Sequence, residues 1–244
     1  MSRFFMDVAY NGTRFCGWQR QPNGISVQQR LEETMSLILR ESITVVGAGR
    51  TDAGVHARQM TAHFDVSGDL DDLWTLTEKL NRMLSKDIAV HRIVPVKPDA
   101  HARFDALSRT YHYYITDRKN PFEYEWVCRM SLKQMNFDWM NEACKLLLEY
   151  NDFSCFSKLH TDVKTRLCRI MKAEWSPDGD RRVFAIQANR FLRNMVRAIV
   201  GTLFDVGRGK ITPADFREII ETKDRCKAGM SAPAEGLVLM EVEY

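Results

Sequence analysis

The spacing of hydrophobic residues along the first hundred positions predicts six elements of secondary structure. Ser26 and Gln29 form the sequence pattern of a helix capping box, and apolar residues recur after them at helical spacing. A second helix is predicted from Asp69, a residue type that favours the N-terminal cap. The other hydrophobic runs are short and rich in β-branched and aromatic residues, which is typical of strands. The predicted order is β-α-β-β-α-β, with strands at residues 3–10, 43–46, 59–66 and 88–94.

The rest of the chain has the same predicted order of elements, with one additional helix after Thr212-Pro213. Its strands are predicted at residues 109–116, 169–175, 182–188 and 237–244, and its other helices at residues 136–149 and 191–206. Because this order is that of the ferredoxin-like motif, we predict an α+β fold of two ferredoxin-like, RRM-like halves, residues 1–100 and 101–244. We expect their strands to join in one mixed, mainly antiparallel sheet with a cleft along the junction.

The composition favours an ordinary globular protein and gives no sign of a metal site or a membrane segment. The chain has 244 residues, of which 45% are hydrophobic and 27% are charged. No apolar run approaches the roughly 20 residues that span a bilayer, and the N-terminal residues do not form a secretory signal. The six cysteines include no C-x-x-C pair and no histidine at zinc-ligand spacing. We therefore predict a cytoplasmic protein without membrane contact or a bound metal.

The positive charge is concentrated in one part of the sequence. The whole chain carries a formal net charge of +3, but ten basic and only four acidic residues lie between Lys158 and Arg197, a local net charge of +6. Such an excess occurs on solvated basic faces and also on surfaces that bind phosphate backbones. Charge alone does not decide between the two.

The densest group of functional residue types is the segment GAGRTDAGVHA at residues 47–57. Its three glycines within eight positions predict a loop that turns sharply or contacts a ligand closely. The dinucleotide pattern G-x-G-x-x-G is not met, because Asp52 occupies the sixth position, and the Gly-Lys-Ser/Thr end of a Walker A loop is also lacking. Asp52, beside Arg50 and small residues, is a candidate nucleophile or, alternatively, an ordinary turn-forming aspartate.

This segment resembles the active-site motif of the tRNA pseudouridine synthase A family, and the resemblance extends over nearly the whole chain. Further matching blocks follow in the family's order. They are residues 10–13 (YNGT), 109–113 (RTYHY), 152–153 (DF), 189–197 (NRFLRNMVR), 200–203 (VGTL), 206–210 (VGRGK) and 232–239 (APAEGLVL). One departure is Cys168-Arg169-Ile170, where the family often has Arg-Thr-Ile.

The resemblance implies a pseudouridine synthase fold, with the cleft between the halves binding RNA, and a role for four residues. Asp52 corresponds to the catalytic aspartate, Arg197 to the arginine that pairs with it, and Tyr111 to the tyrosine that stacks on the substrate base. Arg50 is a candidate for steadying a flipped nucleotide. From residue type and position alone, Tyr111 is equally compatible with core packing, and Arg197 with a surface or phosphate-binding arginine.

The implied reaction is the isomerisation of uridine to pseudouridine in the anticodon stem-loop of tRNA, around positions 38, 39 and 40, by a homodimer without a cofactor. Attack of Asp52 at C6, its attack at C1′ and its removal of a ribose proton are all compatible with the sequence. The main alternative is a non-catalytic RNA-binding protein, in which Tyr111, Tyr113 and Tyr114 of an RRM-like sheet stack on bases. Formation of pseudouridine would distinguish the two functions.

Overall fold

The structure, a computed structural model, describes residues 1–158 and 165–244. They form two compact units, one of Met1–Leu107 with Val238–Tyr244 and the other of Ser108–Leu237. Both units combine mainly antiparallel strands with helices, so the fold is α+β. Within these residues, no helix has the length and the apolar character that crossing a membrane would require.

The first unit begins with the predicted β-α-β-β-α-β order of elements. Its strand β1 is the central one, pairing antiparallel with both β3 and β4, and the short β2 adds to β3. The elements are β1 (Ser2–Tyr10), α1 (Val27–Leu39), β2 (Val46–Gly47), β3 (His56–Val66), α2 (Leu73–Met83) and β4 (Ile88–Val96).

In the residues that the structure describes, the second unit has a three-stranded antiparallel arrangement with three α-helices. Strand β8 lies between β5 and β7, and the two-residue strand β6, which the sequence pattern did not predict, pairs with β5. The elements are β5 (Ser108–Thr116), β6 (Cys128–Arg129), α3 (Phe137–Leu146), β7 (Ile170–Asp178), β8 (Arg181–Ala188), α4 (Met195–Gly207) and α5 (Pro213–Thr222).

The last strand, β9 (Leu237–Glu243), belongs almost entirely to the first unit, whereas the sequence pattern had grouped it with residues 101–244. It pairs parallel with the start of β3, with His56 opposite Val238 and Ala57 opposite Leu239. Hydrophobic periodicity identifies a strand but contains no information about its partner, which is why the sequence did not reveal this pairing.

Helix caps account for the starts of the predicted helices, with two corrections. Ser26 caps α1 as predicted, accepting a hydrogen bond from the Gln29 N–H at 3.2 Å, but the Gln29 side chain donates to Glu33 at 2.8 Å and does not complete the predicted capping box. Helix α2 is capped by Asp72, which accepts from the Thr75 N–H at 2.8 Å, and not by Asp69. The carboxylate of Asp69 instead accepts a hydrogen bond from the hydroxyl of Ser2 at 2.7 Å. Aspartate is favoured as an N-cap at either position, so tertiary contacts determine which of the two residues caps α2.

Two other predicted boundaries are wrong for local reasons. Of the strand predicted at residues 43–46, only Val46 pairs with β3, together with Gly47, because the Val45 N–H donates to the carboxylate of Glu32 instead. The helix predicted from residue 191 begins at Met195, since Asn194 has a φ of 63°, which interrupts a right-handed helix.

Candidate active site

The segment GAGRTDAGVHA forms the end of β2, a loop of residues 48–55 and the start of β3. We call residues 48–55 the Asp52 loop. The sequence pattern had predicted that β3 starts only at residue 59. Because His56 and Ala57 are paired with β9, the loop returns directly into the sheet. Its other end is also fixed, since the Ala48 N–H donates to the Thr61 carbonyl at 2.8 Å. Both ends of the Asp52 loop are therefore held by backbone hydrogen bonds.

The Asp52 loop rests on the segment that follows β1. The Thr51 hydroxyl lies 2.8 Å from the hydroxyl of Tyr10, and the Thr51 carbonyl accepts a hydrogen bond from the Trp18 N–H at 3.2 Å. The Gly54 N–H donates to the Phe15 carbonyl at 3.4 Å. We call residues 11–18 the backing segment, because their backbone supports both sides of Asp52.

Gly17 of the backing segment allows the closest approach to the loop. Its φ of +86° lies in the left-handed region, and a Cβ atom at this position would be 2.4 Å from the Thr51 carbonyl oxygen and 3.0 Å from the Asp52 carbonyl carbon. Only glycine fits both conditions. The backbone of the Asp52 loop therefore requires glycine at position 17, which lies 35 positions before Asp52.

Asp52 is half-buried at the surface edge of this supported loop. Its neighbours Thr51 and Val55 are buried, whereas Arg50 and Ala53 are exposed. The Val55 N–H donates to the Asp52 carbonyl at 3.1 Å, which closes a tight turn around the aspartate. A carboxylate held on a rigid backbone beside small residues is suited to close contact with a substrate, and carboxylates can act as nucleophiles.

Two histidines near this site have structural contacts. The buried His56 accepts a hydrogen bond at Nδ1 from the Gly12 N–H at 3.0 Å, which ties the backing segment to β3. His63 accepts at Nδ1 from the Ala102 N–H at 3.1 Å. Burial, with a contribution from the charge of His101, lowers the pKa of His63 to about 4, so its imidazole is neutral at neutral pH and remains an acceptor.

Tyr111 lies on β5 in the second unit, opposite Ile186 of β8. Its side chain is 9% exposed, and its ring meets that of Phe191 edge to face, with centroids 5.3 Å apart and an interplanar angle of 88°. Edge-to-face contacts of this kind are favourable for aromatic pairs. Tyr111 therefore contributes to the core of its unit.

The neighbouring tyrosines of β5 are held in packed positions. Tyr113 is fully buried and donates its hydroxyl hydrogen to the Pro233 carbonyl at 2.9 Å. Tyr114 meets Trp126 edge to face, and the Arg181 guanidinium lies 5.5 Å from the centre of the Tyr114 ring. Burial excludes Tyr113 from stacking on a base, because stacking needs an accessible ring, whereas Tyr114 is half-buried.

Arg197 lies in the first turns of α4 and is half-buried. Its Nε donates a hydrogen bond to the Ala232 carbonyl at 2.7 Å, and its own carbonyl accepts from the Ala232 N–H at 2.9 Å. The guanidinium is thus oriented by the protein, unlike the mobile side chain of a typical surface arginine. The sequence pattern suggested neither this contact nor the residues that provide it.

The four residues singled out by the sequence fall into two pairs. Arg50 and Asp52 belong to the first unit, and Tyr111 and Arg197 belong to the second. The pairing of Arg197 with Asp52 stays a prediction. Within the described part of the chain, no group of three or more His, Cys, Asp or Glu side chains is arranged to hold a metal ion.

Several supporting residues were missed by sequence reasoning. Tyr10, Gly17 and Trp18 hold the Asp52 loop, and Phe191 packs against Tyr111. The signal that could have identified the first group is the YNGT block at residues 10–13, which precedes a glycine-containing loop. Its role depends on contacts between positions far apart in the chain, which periodicity does not encode.

A family model and individual relatives of known name all match this chain to one family. A family model described as tRNA pseudouridine synthase matches residues 7–105 and 143–244. The chain is 58% identical over 244 residues to a protein named tRNA pseudouridine synthase A from Parabacteroides distasonis, covering all of this chain and 96% of the relative. It is also 58% identical to the protein of that name from Porphyromonas gingivalis, covering all of this chain and 98% of the relative.

A more distant relative extends the similarity. A protein named tRNA pseudouridine synthase A 2 from Clostridium perfringens is 37% identical over 246 residues, and both chains are covered completely. The family model and these relatives together cover the Asp52 loop, β5 and α4, as well as the segments that support them. This chain belongs to the tRNA pseudouridine synthase family.

Proposed function

We propose that the chain isomerises uridine to pseudouridine in the anticodon stem-loop of tRNA, around positions 38, 39 and 40, with Asp52 as the reactive group and without a cofactor. The observation that carries the proposal is the support of Asp52. Its loop is fixed at both ends and rests on the backing segment, while the aspartate itself is only half-buried. Membership of the tRNA pseudouridine synthase family supports the reaction.

The reaction balances without an external oxidant or reductant. The N1–C1′ glycosidic bond breaks, the uracil rotates, and a C5–C1′ bond forms, while C5 loses a proton and N1 takes one up. We propose that Asp52 acts as the nucleophile that assists scission of the glycosidic bond. The bond that its carboxylate forms to the substrate breaks again before the product leaves, which regenerates Asp52. Because a uridine stacked in an RNA helix is inaccessible, the base must first be flipped out.

The proposed roles of the other residues follow from their chemistry. A flat aromatic ring can receive a flipped base, which is the role proposed for Tyr111. An arginine beside a carboxylate favours its ionised form, which is the role proposed for Arg197 towards Asp52. The exposed guanidinium of Arg50, two positions before Asp52, is proposed to steady the flipped nucleotide.

Asp52→Asn tests the proposal because it keeps the size of the side chain and removes its charge and nucleophilicity. We expect no pseudouridine to form on an unmodified tRNA transcript, while the melting temperature and tRNA affinity stay near wild type. Asp69→Asn, an exposed aspartate in the same unit, is the matched control and should remain active.

A normal rate of pseudouridine formation by Asp52→Asn would contradict the proposed chemistry. It would instead support a turn-forming role, which asparagine fills as well as aspartate. A wild-type protein that binds tRNA and leaves uridine unchanged would support the alternative, a non-catalytic RNA-binding protein.

We propose further that residues 1–100 and residues 101–244 are two ferredoxin-like halves, that the protein is a homodimer and that it acts in the cytoplasm. The order of elements and the antiparallel pairing of β1, β3 and β4 support the ferredoxin-like description of the first half. Sedimentation at micromolar concentration would contradict the dimer if it gave only the monomer mass of 28.3 kDa.

A further inference from the structure

The first half of α4 carries Arg197 and is contacted on one edge by a short segment without regular secondary structure. This segment consists of residues 229–232, and we call it the strap. At one end the Gly229 N–H donates to the Thr202 hydroxyl at 3.0 Å. At the other end Ala232 exchanges two hydrogen bonds with Arg197, one with its backbone and one with its Nε. The strap therefore runs antiparallel to the helix and ends at the guanidinium.

Asn194, at the N-terminus of α4, contributes its side chain to the strap instead of to the helix. Asparagine is among the best N-cap residues, because its side chain can accept a backbone N–H bond. Here its backbone is left-handed, with a φ of 63°, and its side chain makes no capping bond. Instead its Nδ2 donates to the hydroxyl of Ser231 at 2.6 Å. The helix thus lacks a usual stabilising contact at the turn that bears Arg197.

Gly201 allows the strap to lie directly on the helix. A Cβ atom at this position would be 1.7 Å from the Met230 carbonyl oxygen and 3.1 Å from the Ala232 nitrogen. Both are backbone atoms, so no side-chain rotation could relieve the contact. Met230 directs its side chain, which is 87% exposed, away from this surface. Any side chain at residue 201 must displace the strap.

We propose that the strap sets the position of the Arg197 guanidinium, with Gly201, Asn194 and Ser231 as positioning residues for the reaction. A long arginine side chain samples many rotamers unless its planar guanidinium group is held by hydrogen bonds. The bond from Nε to the Ala232 carbonyl fixes the Arg197 guanidinium only while the strap stays in contact with α4. The inference rests on the proposed function, because it takes Arg197 to be the partner of the reactive carboxylate.

Three variants test the strap in the full-length protein. Ser231→Ala removes the acceptor for Asn194 at 2.6 Å and for the Arg225 guanidinium at 3.3 Å. Ser231→Thr restores a hydroxyl, and Gly201→Ala introduces a methyl group that displaces the strap. Ser36→Ala is the control for the loss of a serine hydroxyl that accepts a hydrogen bond, here from the Ile43 N–H at 2.9 Å. Gly68→Ala is the control for the glycine, since a Cβ there would have no neighbour within 4 Å.

The measurements are single-turnover rates of pseudouridine formation across pH and the affinity for unmodified tRNA. We expect Ser231→Ala to lower the rate at neutral pH by at least about fivefold, the effect of losing the hydrogen bond from Asn194 alone, with little change in affinity. Gly201→Ala should lower it by up to about a hundredfold, the effect of misplacing a group by about 1 Å. In both, activity should appear at higher pH than in wild type, because a carboxylate that loses its arginine partner ionises at higher pH. Arg197→Met, which removes the guanidinium, should show the same shift. Ser231→Thr and both controls should retain wild-type rates.

A double variant separates positioning from mere stabilisation of the fold. If the strap acts through Arg197, Ser231→Ala should cause no further loss of rate in an Arg197→Met background, because the guanidinium that the strap positions is already absent. Additive losses, or a lowered melting temperature with unchanged rate and pH profile in folded Ser231→Ala, would overturn the inference.

The two proposals fail in distinguishable ways. If Arg197→Met has a wild-type rate and pH profile, the proposed role of Arg197 is wrong. If Arg197→Met shifts the pH profile and Ser231→Ala does not, only the role of the strap is wrong. Should Gly201→Ala fail to fold, the serine pair and the double variant still decide the question.

Discussion

At the scale of single residues, Asp52 and Tyr111, which are both proposed to contact the substrate, differ in their burial. Asp52 is half-buried in a loop whose neighbours are small or exposed, so a substrate can approach it without displacing the core. Tyr111 is 9% exposed and packs edge to face on Phe191. A substitution at Tyr111 therefore affects stability as well as any contact with a base, and the two effects have to be separated.

Tyr111→Leu and Tyr111→Phe separate these effects. Leucine keeps apolar bulk and loses the flat ring, so we expect a folded protein that binds tRNA but forms pseudouridine slowly. Phenylalanine keeps the ring and should bind tRNA nearly as wild type does. Thermal melting and single-turnover rates are the measurements.

Tyr111→Ala provides the comparison for packing. It should cost about 3–5 kcal/mol of stability, the range for truncating a large buried aromatic side chain. If Tyr111→Leu forms pseudouridine at the wild-type rate, the ring serves only the core, and the proposed stacking on the base is wrong.

At the scale of elements, the Asp52 loop depends on a segment that carries no reactive group. The backing segment supplies hydrogen bonds on either side of Asp52, from Trp18 to Thr51 and from Gly54 to Phe15. Strand β9, from the other end of the chain, pairs with β3 where the loop ends. The position of one carboxylate therefore depends on contacts between three distant parts of the sequence.

Gly17→Ala tests this dependence. A methyl group would approach the Thr51 carbonyl oxygen to 2.4 Å on a backbone with a φ of +86°. We expect a loss of more than about 1–2 kcal/mol, the cost of a left-handed conformation alone, together with slower pseudouridine formation. Gly68→Ala should be neutral or slightly stabilising. Equal melting temperatures and rates for the two variants would contradict the proposed support of Asp52.

At the scale of the whole molecule, the local excess of positive charge is only partly available for binding RNA. Arg181 forms ion pairs with Glu123 at 3.0 Å and with Asp178 at 2.8 Å. Lys172 pairs with Glu174 at 2.7 Å. Exposed basic side chains outside these pairs include Arg166, Arg169 and Arg193. Lys164 and Asp162, which the sequence count included, lie outside the described residues.

The salt dependence of tRNA binding should report on this exposed subset. Neutralised phosphates release counterions, so the logarithm of the binding constant should fall linearly with the logarithm of salt concentration. We expect Arg193→Gln to reduce the magnitude of the slope by about 0.7–0.9, the effect of one lost phosphate contact. Arg118→Gln should leave it unchanged, because Arg118 is already paired with Asp180 at 2.6 Å. A slope near zero for the wild type would contradict electrostatic binding of tRNA.

Much of the fold could be predicted from the sequence, because local signals are strong where hydrophobic and polar residues follow a regular spacing. The strand at β1 and the cap of α1 at Ser26 were predicted within a residue, as was the start of α5 after Thr212. Errors arose where a local preference had two solutions. Asp69 and Asp72 are both suitable caps, and the residues before Asn194 continue an apolar helical pattern that its backbone interrupts.

The sequence by itself determined the family, the identity of the reactive candidate and the order of elements, because motif residues and periodicity are properties of neighbouring positions. Only the tertiary structure decided that Gly17 supports the Asp52 loop, that β9 joins β3 and that the strap holds Arg197. These contacts join residues 34 or more positions apart, and their energies depend on which surfaces meet when the chain collapses. No local preference specifies that choice, so it becomes visible only in the folded protein.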